Sequence, residues 1–193
     1  MRRVAGIDEA GRGPLAGPVV AAAVILRPRR PIEGVADSKT LSAEERGRLN
    51  LVIRRDALCF GIGWADHAEI DALNILQATF LAMRRALLAM ICVPDHVLID
   101  GNRLPNLEGL GKTLTARAII GGDATEPAIS AASILAKTAR DSFMNQMDTV
   151  YPAYSFATHK GYATPDHQRL LTLHGPCPLH RRSFEPVRLA LRL

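Results

Sequence analysis

The sequence predicts an α/β domain of five strands followed by a small helical extension. Three observations carry that prediction: short β-branched runs alternate with helical periodicities, the composition is globular, and no repeat or linker interrupts the chain. Of the 193 residues, 48% are hydrophobic and 22% charged. That balance excludes fibrous and disordered readings. At this length folding hides roughly 70% of the surface of the unfolded chain, so a core forms without disulfides or a structural metal.

The elements follow in order. Val4 to Asp8 is a short apolar segment running into Gly11, and Val19 to Leu26 is a β-branched run bounded by prolines; both read as strands. Ser42-Ala-Glu-Glu45 has the form of a capping box and opens a charged helix to about Arg55. Leu58 to Trp64 reads as a third strand. Ile70, Leu73, Leu76, Phe80, Met83, Leu87 and Met90 recur at steps of three and four, which predicts one long amphipathic helix from Ile70 to Ile91. His96 to Asp100 is a fourth strand stopped by Gly101, and Ala116 to Ile120 a fifth stopped by Gly121-Gly122. Pro127 suits a first helical turn, and Ala128 to Met147 continues as an alanine-rich helix able to approach a sheet closely. Thr164-Pro165 starts another helix that Gly175-Pro176 closes. Residues 1–150 are therefore expected to form the α/β domain, and 151–193 a helical extension packed on it.

Cys59, Cys92 and Cys177 are odd in number and show no C-x-x-C spacing, which argues against a disulfide framework or a zinc site. The first apolar stretch is broken by Asp8, Glu9 and Arg12, unlike a signal peptide, and Val19 to Leu26 is too short to span a bilayer. A soluble cytoplasmic protein is expected. The net charge is +5, a mild bias toward polyanionic partners. From Tyr151 onward six Lys and Arg (160, 169, 181, 182, 188, 192) face two acids, Asp166 and Glu185. This local excess predicts that the extension clamps nucleic acid. His159, His167, His174 and His180 also lie there without metal-ligand spacing, as structural or phosphate-facing groups.

Asp8, Asp100 and Asp123 each fall where a strand gives way to a glycine-containing loop, the place where open α/β sheets hold ligands. Aspartates there also form turns, so position alone leaves both readings open. Glu9 beside Asp8 is harder to explain as a turn former. Neighbours in a regular strand point to opposite faces, so both serve one site only if the strand ends or kinks between them. Converging carboxylates could stay ionised together only beside hard divalent cations, magnesium or manganese, and a pair of these can clamp both oxygens of an in-line displacement.

The run Gly6-Ile-Asp8-Glu9-Ala-Gly11-Arg12-Gly13-Pro-Leu-Ala-Gly17-Pro-Val closely resembles the opening of ribonuclease HII, the type 2 ribonuclease H family. Further blocks follow in that family's order: Asp37-Ser38-Lys39, Leu73-Asn74-Ile-Leu-Gln77, Ile99-Asp100-Gly101-Asn102, Gly122-Asp123, Ile129 to Lys137, His159-Lys160-Gly161-Tyr162, His174-Gly-Pro and Arg181-Arg182-Ser-Phe. The resemblance implies a ribonuclease H-like fold, a five-stranded mixed sheet flanked by helices. It also implies that Asp8, Glu9, Asp100 and Asp123 are the metal-binding carboxylates of a two-metal hydrolase using Mg2+ or Mn2+. The implied reaction is cleavage 5′ to a ribonucleotide in RNA/DNA hybrids and in duplex DNA, leaving a 3′-hydroxyl and a 5′-phosphate.

Detecting a ribonucleotide means detecting its 2′-hydroxyl, a group that both donates and accepts hydrogen bonds. Gly11-Arg12-Gly13 lets main chain approach a sugar, although a lone G-x-G is more often a turn. The resemblance makes Tyr162 the residue packing on the sugar beside the ribonucleotide; a loop tyrosine otherwise packs on its own domain as readily. Ser133 and Lys137 at i, i+4, Asn74 and Gln77 at i, i+3, and Lys39 are candidate phosphate contacts, against the alternative of solvated polar faces. A monomer is expected, without the aromatic tail by which some relatives dock on a sliding clamp. The rival reading is a catalytically silent protein of the same fold that binds hybrids or damaged DNA.

Overall fold

A computed structural model of the chain describes residues 2–35, 41–111 and 113–191. The centre is a five-stranded mixed sheet in the order β3-β2-β1-β4-β5. Strands β1 (Val4–Ala10), β2 (Val19–Ile25) and β3 (Cys59–Ala65) form an antiparallel meander, and β4 (His96–Asp100) and β5 (Thr115–Ile119) add to β1 in parallel. All five expected strands are present, their ends moved by a residue or two. β1 pairs with β2 as far as Ala10 but with β4 only as far as Ile7. Asp8, Glu9 and Ala10 thus run past the last β4 partner, and the sheet opens there into a crevice.

Helices cover both faces. α3 (Ile75–Leu88) lays Ala78, Ala82, Met83 and Ala86 against Ala5, Ile7, Ala21, Ala23, Val97 and Ile99. On the other face α5 (Pro127–Val150) and α1 (Ala43–Asp56) bring Ala131, Ala132, Leu135, Leu49 and Ile53 onto Ala22 and Val24. Every residue of β2 is buried, as expected of a strand covered on both faces, and its Ala21-Ala22-Ala23 centre leaves room for close helices. On the α5 face the backbones meet at Gly6, where a Cβ would lie 2.1 Å from the Ala128 carbonyl carbon. Only glycine fits, so α5 is seated directly on β1 and presents Ser133, Lys137 and Arg140 beyond it.

The long helix expected from Ile70 to Ile91 is in fact two, α2 (His67–Leu73) and α3, meeting at Asn74. Asn74 has a positive φ of 74°, and its side-chain oxygen accepts from the amides of Leu76 and Gln77 to cap α3. With ψ 162° this is not the left-handed helical region but one that non-glycine residues rarely adopt, and the two cap hydrogen bonds hold Asn74 there. Apolar periodicity resumes in phase after the kink, which is why it hides the break. The Ser42–Glu45 capping box is formed as expected, and Asp66 with Glu69 makes a second one at α2.

Beyond α5 come a 3-10 turn (Pro152–Tyr154), α6 (Phe156–His159), α7 (Pro165–His174) and α8 (Glu185–Ala190), with a short α4 (Gly122–Thr125) earlier between β5 and α5. The segment after β1 knits these helices to the sheet. Leu15 N–H donates to Gly161 O, Arg181 N–H to Leu15 O and Gly17 N–H to Leu179 O, and Ala16, Met144, Tyr154, Phe156 and Leu179 share one apolar cluster. Not every cation counted in this region lies on the surface. Arg181 is fully buried, while Arg169 and Arg188 pair with Asp166 and Glu185.

Three of the four C-terminal histidines are interior, and backbone groups fix their protons. The Cys177 amide donates to His180 Nδ1, so His180 carries its proton on Nε2 and donates to His167 Nε2 at 3.1 Å. His167 then donates through Nδ1 to Tyr162 O, while the Gly161 amide donates to His159 Nδ1 and His159 Nε2 donates to Tyr154 O. A second proton on any ring would set donor against donor. Burial, followed by repulsion from His167, pushes the His180 pKa down to about 4. The unfolded chain takes up a proton that the folded one refuses, so stability is full above pH 6.5 and falls as pH drops toward 4. Between those limits the wild type should lose about 3 kcal/mol more than H180Q, read from denaturant melts of both proteins across the range.

Candidate active site

The carboxylates are brought together by the opening between β1 and β4. Asp8 and Asp100, one on each strand, would be the next pair after Ile7 and Ile99, but the ladder stops before them. Asp123 arrives from α4 directly after β5. It is buried, and its carbonyl accepts from the Ser130 hydroxyl of α5. The Gly122 amide donates to Asp100 Oδ1 at 2.7 Å, tying the end of β4 to the start of α4. One open cleft of about 510 Å3 is lined by Asp8, Glu9, Asp100 and Asp123 together with Gly11, Arg12, Gly13, Arg46, Ser133, Lys137 and Tyr162.

Asp8 and Glu9 share this cleft without the kink the sequence reading required. β1 continues through both, and they point to opposite faces as the pleat dictates: Asp8 with Ser133 of α5, Glu9 with the side on which Phe80 and Met83 lie. Both reach the crevice because β4 has left the edge. A second groove, of about 390 Å3, continues from Glu9, Arg12 and Asp100 over Leu76, Phe80 and Met83 to Asn102 and Arg103.

The electrostatics follow from crowding. Burial, then the neighbouring Glu9 charge, holds the Asp8 carboxyl well above the usual carboxylate range, against a hydrogen bond from Ser133. Burial raises Glu9 as well, opposed by Arg12, whose Nη1 donates to Glu9 Oε1 at 3.1 Å. Among the described residues no three or more His, Cys, Asp or Glu side chains are arranged so that they could hold a metal ion as they stand. The donor set nonetheless fits a hard cation. It is all oxygen, two of its members (Asp8 and Asp123) are buried, and the charge that raises Asp8 is what a divalent ion would relieve.

On the opposite wall Tyr162 is half-exposed, with Lys137 Nζ 5.6 Å and Arg140 Cζ 5.8 Å from its ring centre. A Cβ placed on Gly13 would be 3.9 Å from the same ring, so the glycine loop and the tyrosine face each other. Lys137 also pairs with Asp141 one turn on. Asn74 and Gln77 lie outside the cleft, with the Asn74 side chain engaged as a cap, and Lys39 falls outside the described residues.

Sequence reasoning missed Arg46, Arg103 and Arg140, and it placed Arg181 on a surface clamp. Arg46 sits on the charged helix α1, where nothing marks it from its neighbours. Arg140 and Arg181 are fully buried under the glycine loop with no carboxylate partner among the described residues. The only prior signal was the quoted Arg181-Arg182 pair.

A family description, ribonuclease HII, matches residues 5–187. The chain is 58% identical over 189 residues to a ribonuclease HII of Paracidovorax citrulli, covering 98% of this chain and 77% of that protein. It is 56% identical over 192 residues to one of Azoarcus sp., covering 100% and 92%. The crystal structure of the ribonuclease H2 from Pyrococcus horikoshii superposes with a TM-score of 0.82 at 27% identity, over 98% of this chain and 97% of that one. With a match this complete, on a sheet whose open end gathers four carboxylates, the chain belongs to the ribonuclease HII family and is an endonuclease of the ribonuclease H class.

Proposed function

We propose that this enzyme hydrolyses the phosphodiester 5′ to a ribonucleotide, in RNA/DNA hybrids and at single ribonucleotides in duplex DNA, leaving a 3′-hydroxyl and a 5′-phosphate. The observation that carries this reading is the shared cleft: four carboxylates on one wall, the Gly11-Arg12-Gly13 loop and Tyr162 on the other. Asp8, Glu9, Asp100 and Asp123 would hold two divalent cations, Mg2+ or Mn2+. Such a pair supplies acidity to the attacking water and positive charge to the leaving 3′-oxygen.

The chain's own groups do the rest. Asp8 and Asp100 stand at the two strand positions where the ladder opens and would hold a divalent cation, while the Ser133 hydroxyl donates to Asp8. Arg12 opposes the burial that raises Glu9 and holds its carboxyl group in place. Main-chain groups of the glycine loop meet the 2′-hydroxyl, and the Tyr162 ring packs on the adjacent deoxyribose. Ser133 and Lys137 contact phosphates near the cut, whereas Lys39, Asn74 and Gln77 would contact the duplex further out. The extension, residues 151–193, contributes chiefly by carrying Tyr162. The protein would act as a monomer.

A duplex carrying one ribonucleotide, incubated with protein and Mg2+, should be nicked on its 5′ side, and the nick should vanish with EDTA; no metal-dependent nick would sink the reading. D8N should lower turnover by at least about 10^3-fold, as loss of a ligand to a charge-stabilising ion does, while the Kd for the duplex moves less than about threefold. It should also melt later than wild type in metal-free buffer, because it removes a buried charge facing Glu9 and Asp100. Y162A should slow cleavage at a single ribonucleotide about tenfold more than in a long hybrid, where neighbouring ribonucleotides offer other registers. Equal loss on both substrates, measured side by side, would remove Tyr162 from this role.

A further inference from the structure

Two cations lie buried beneath the cleft where no established step uses them. Arg181 donates through Nε to Gly17 O at 2.9 Å, through Nη1 to Arg12 O at 2.9 Å, and through Nη2 to Gly11 O and Pro18 O. Arg140 donates through Nε to Pro18 O at 3.0 Å, through Nη2 to Ala16 O at 3.1 Å and through Nη1 to Lys160 O at 3.0 Å. Both are fully buried. A guanidinium removed from water needs its donors satisfied, and here main-chain carbonyls satisfy them in place of carboxylates. These carbonyls come almost entirely from one stretch, residues 11–18, the loop that leaves β1 at the carboxylates.

The fork geometry has a directional consequence. With the carbonyls of Gly11 and Arg12 turned down onto Arg181, the peptide planes after them are fixed, and their amides, on Arg12 and Gly13, are held on the other side. Neither amide donates to a backbone carbonyl among the described residues. Gly11 has φ 95°, and a Cβ there would lie 2.0 Å from Arg140 Nε, so the loop rests on the guanidinium itself. Arg140 reaches the tyrosine wall too, through Lys160 O and by lying beneath the Tyr162 ring.

We infer that Arg181, seconded by Arg140, is a positioning residue for ribose selectivity: it orients the Gly11–Gly13 main chain so that its amides meet the 2′-hydroxyl. The inference rests on the proposed reading of that hydroxyl by the glycine loop. Lysine at either position keeps the charge and loses the fork, so the loop relaxes while the carboxylates and the duplex-binding surface stay in place.

The test compares two duplexes, identical except that one carries a single ribonucleotide and the other its 2′-fluoro analogue, whose fluorine accepts from an amide far more weakly than a hydroxyl oxygen does. For wild type, R181K and R140K, kcat, KM and the ratio of kcat/KM on the two duplexes are measured with Mg2+, alongside melting temperature. In R181K, kcat on the ribonucleotide should fall about tenfold or more with KM within about twofold, and the ribose-to-fluoro ratio should fall at least about fivefold. R140K should show a smaller loss of the same kind. The ratio is taken on one preparation, so a partly unfolded sample cannot imitate the result. Wild type that fails to nick the ribonucleotide, or that nicks both duplexes alike, overturns the proposed function. Wild type that discriminates while both variants discriminate equally well overturns the positioning role alone. So does loss of cooperative melting in both, which would leave these arginines with a purely structural task.

Discussion

Four carboxylates at one end of a sheet repel each other and lose hydration, and the fold has to hold them there against both costs. Each is therefore mounted on an element whose remainder is locked in the core. β1 carries Ala5 and Ile7 into the α3 face, β4 carries Val97 and Ile99 into the same cluster, and α4 is pinned by Ser130 of α5. The relief each acid receives is local and different: a hydroxyl for Asp8, a guanidinium for Glu9, an amide for Asp100. The divergence of β1 from β4 answers the same repulsion, since it begins at the pair of strand positions that would place Asp8 against Asp100.

Much of this was legible in the sequence because it obeys local rules. Strand positions, the Ser42 capping box, Pro127 at the start of α5 and the strand-end location of Asp100 follow from period, cap chemistry and glycine punctuation, whereas Asp8 lies two residues inside β1. What was hidden depends on partners far along the chain. The Asn74 kink leaves the apolar period in phase, so only the cap preference of asparagine before Ile75 could have betrayed it. The shared use of Asp8 and Glu9 could not be read from β1 at all. It depends on where β4 stops.

Charge counting misplaced Arg181 for a related reason. Arginine is almost never fully buried, so a sequence reading places every guanidinium outside. Arg181 lies inside because residues 179–181 pair with 15–17, a contact between segments more than 160 positions apart. The same pairing brings His180 under Tyr162 through His167, so one stretch of the extension supports both the glycine loop and the tyrosine facing it. The extension supports the site from beneath.

The choice of carbonyl partners for Arg140 and Arg181 matters beyond satisfying hydrogen bonds. A carboxylate beside either one would neutralise it, and at this place would also add a fifth negative charge near four others. Carbonyl dipoles solvate a cation without cancelling its charge, so both positive charges persist beneath a cleft that must accept a phosphodiester among acids. Burial lowers their affinity for protons, Arg181 down to about 9, yet leaves them cationic at neutral pH. Charges held in the interior are screened by salt far less than those on the surface. The electrostatic balance of the cleft is thereby set in part by two fully buried groups, through the same bonds that hold the loop.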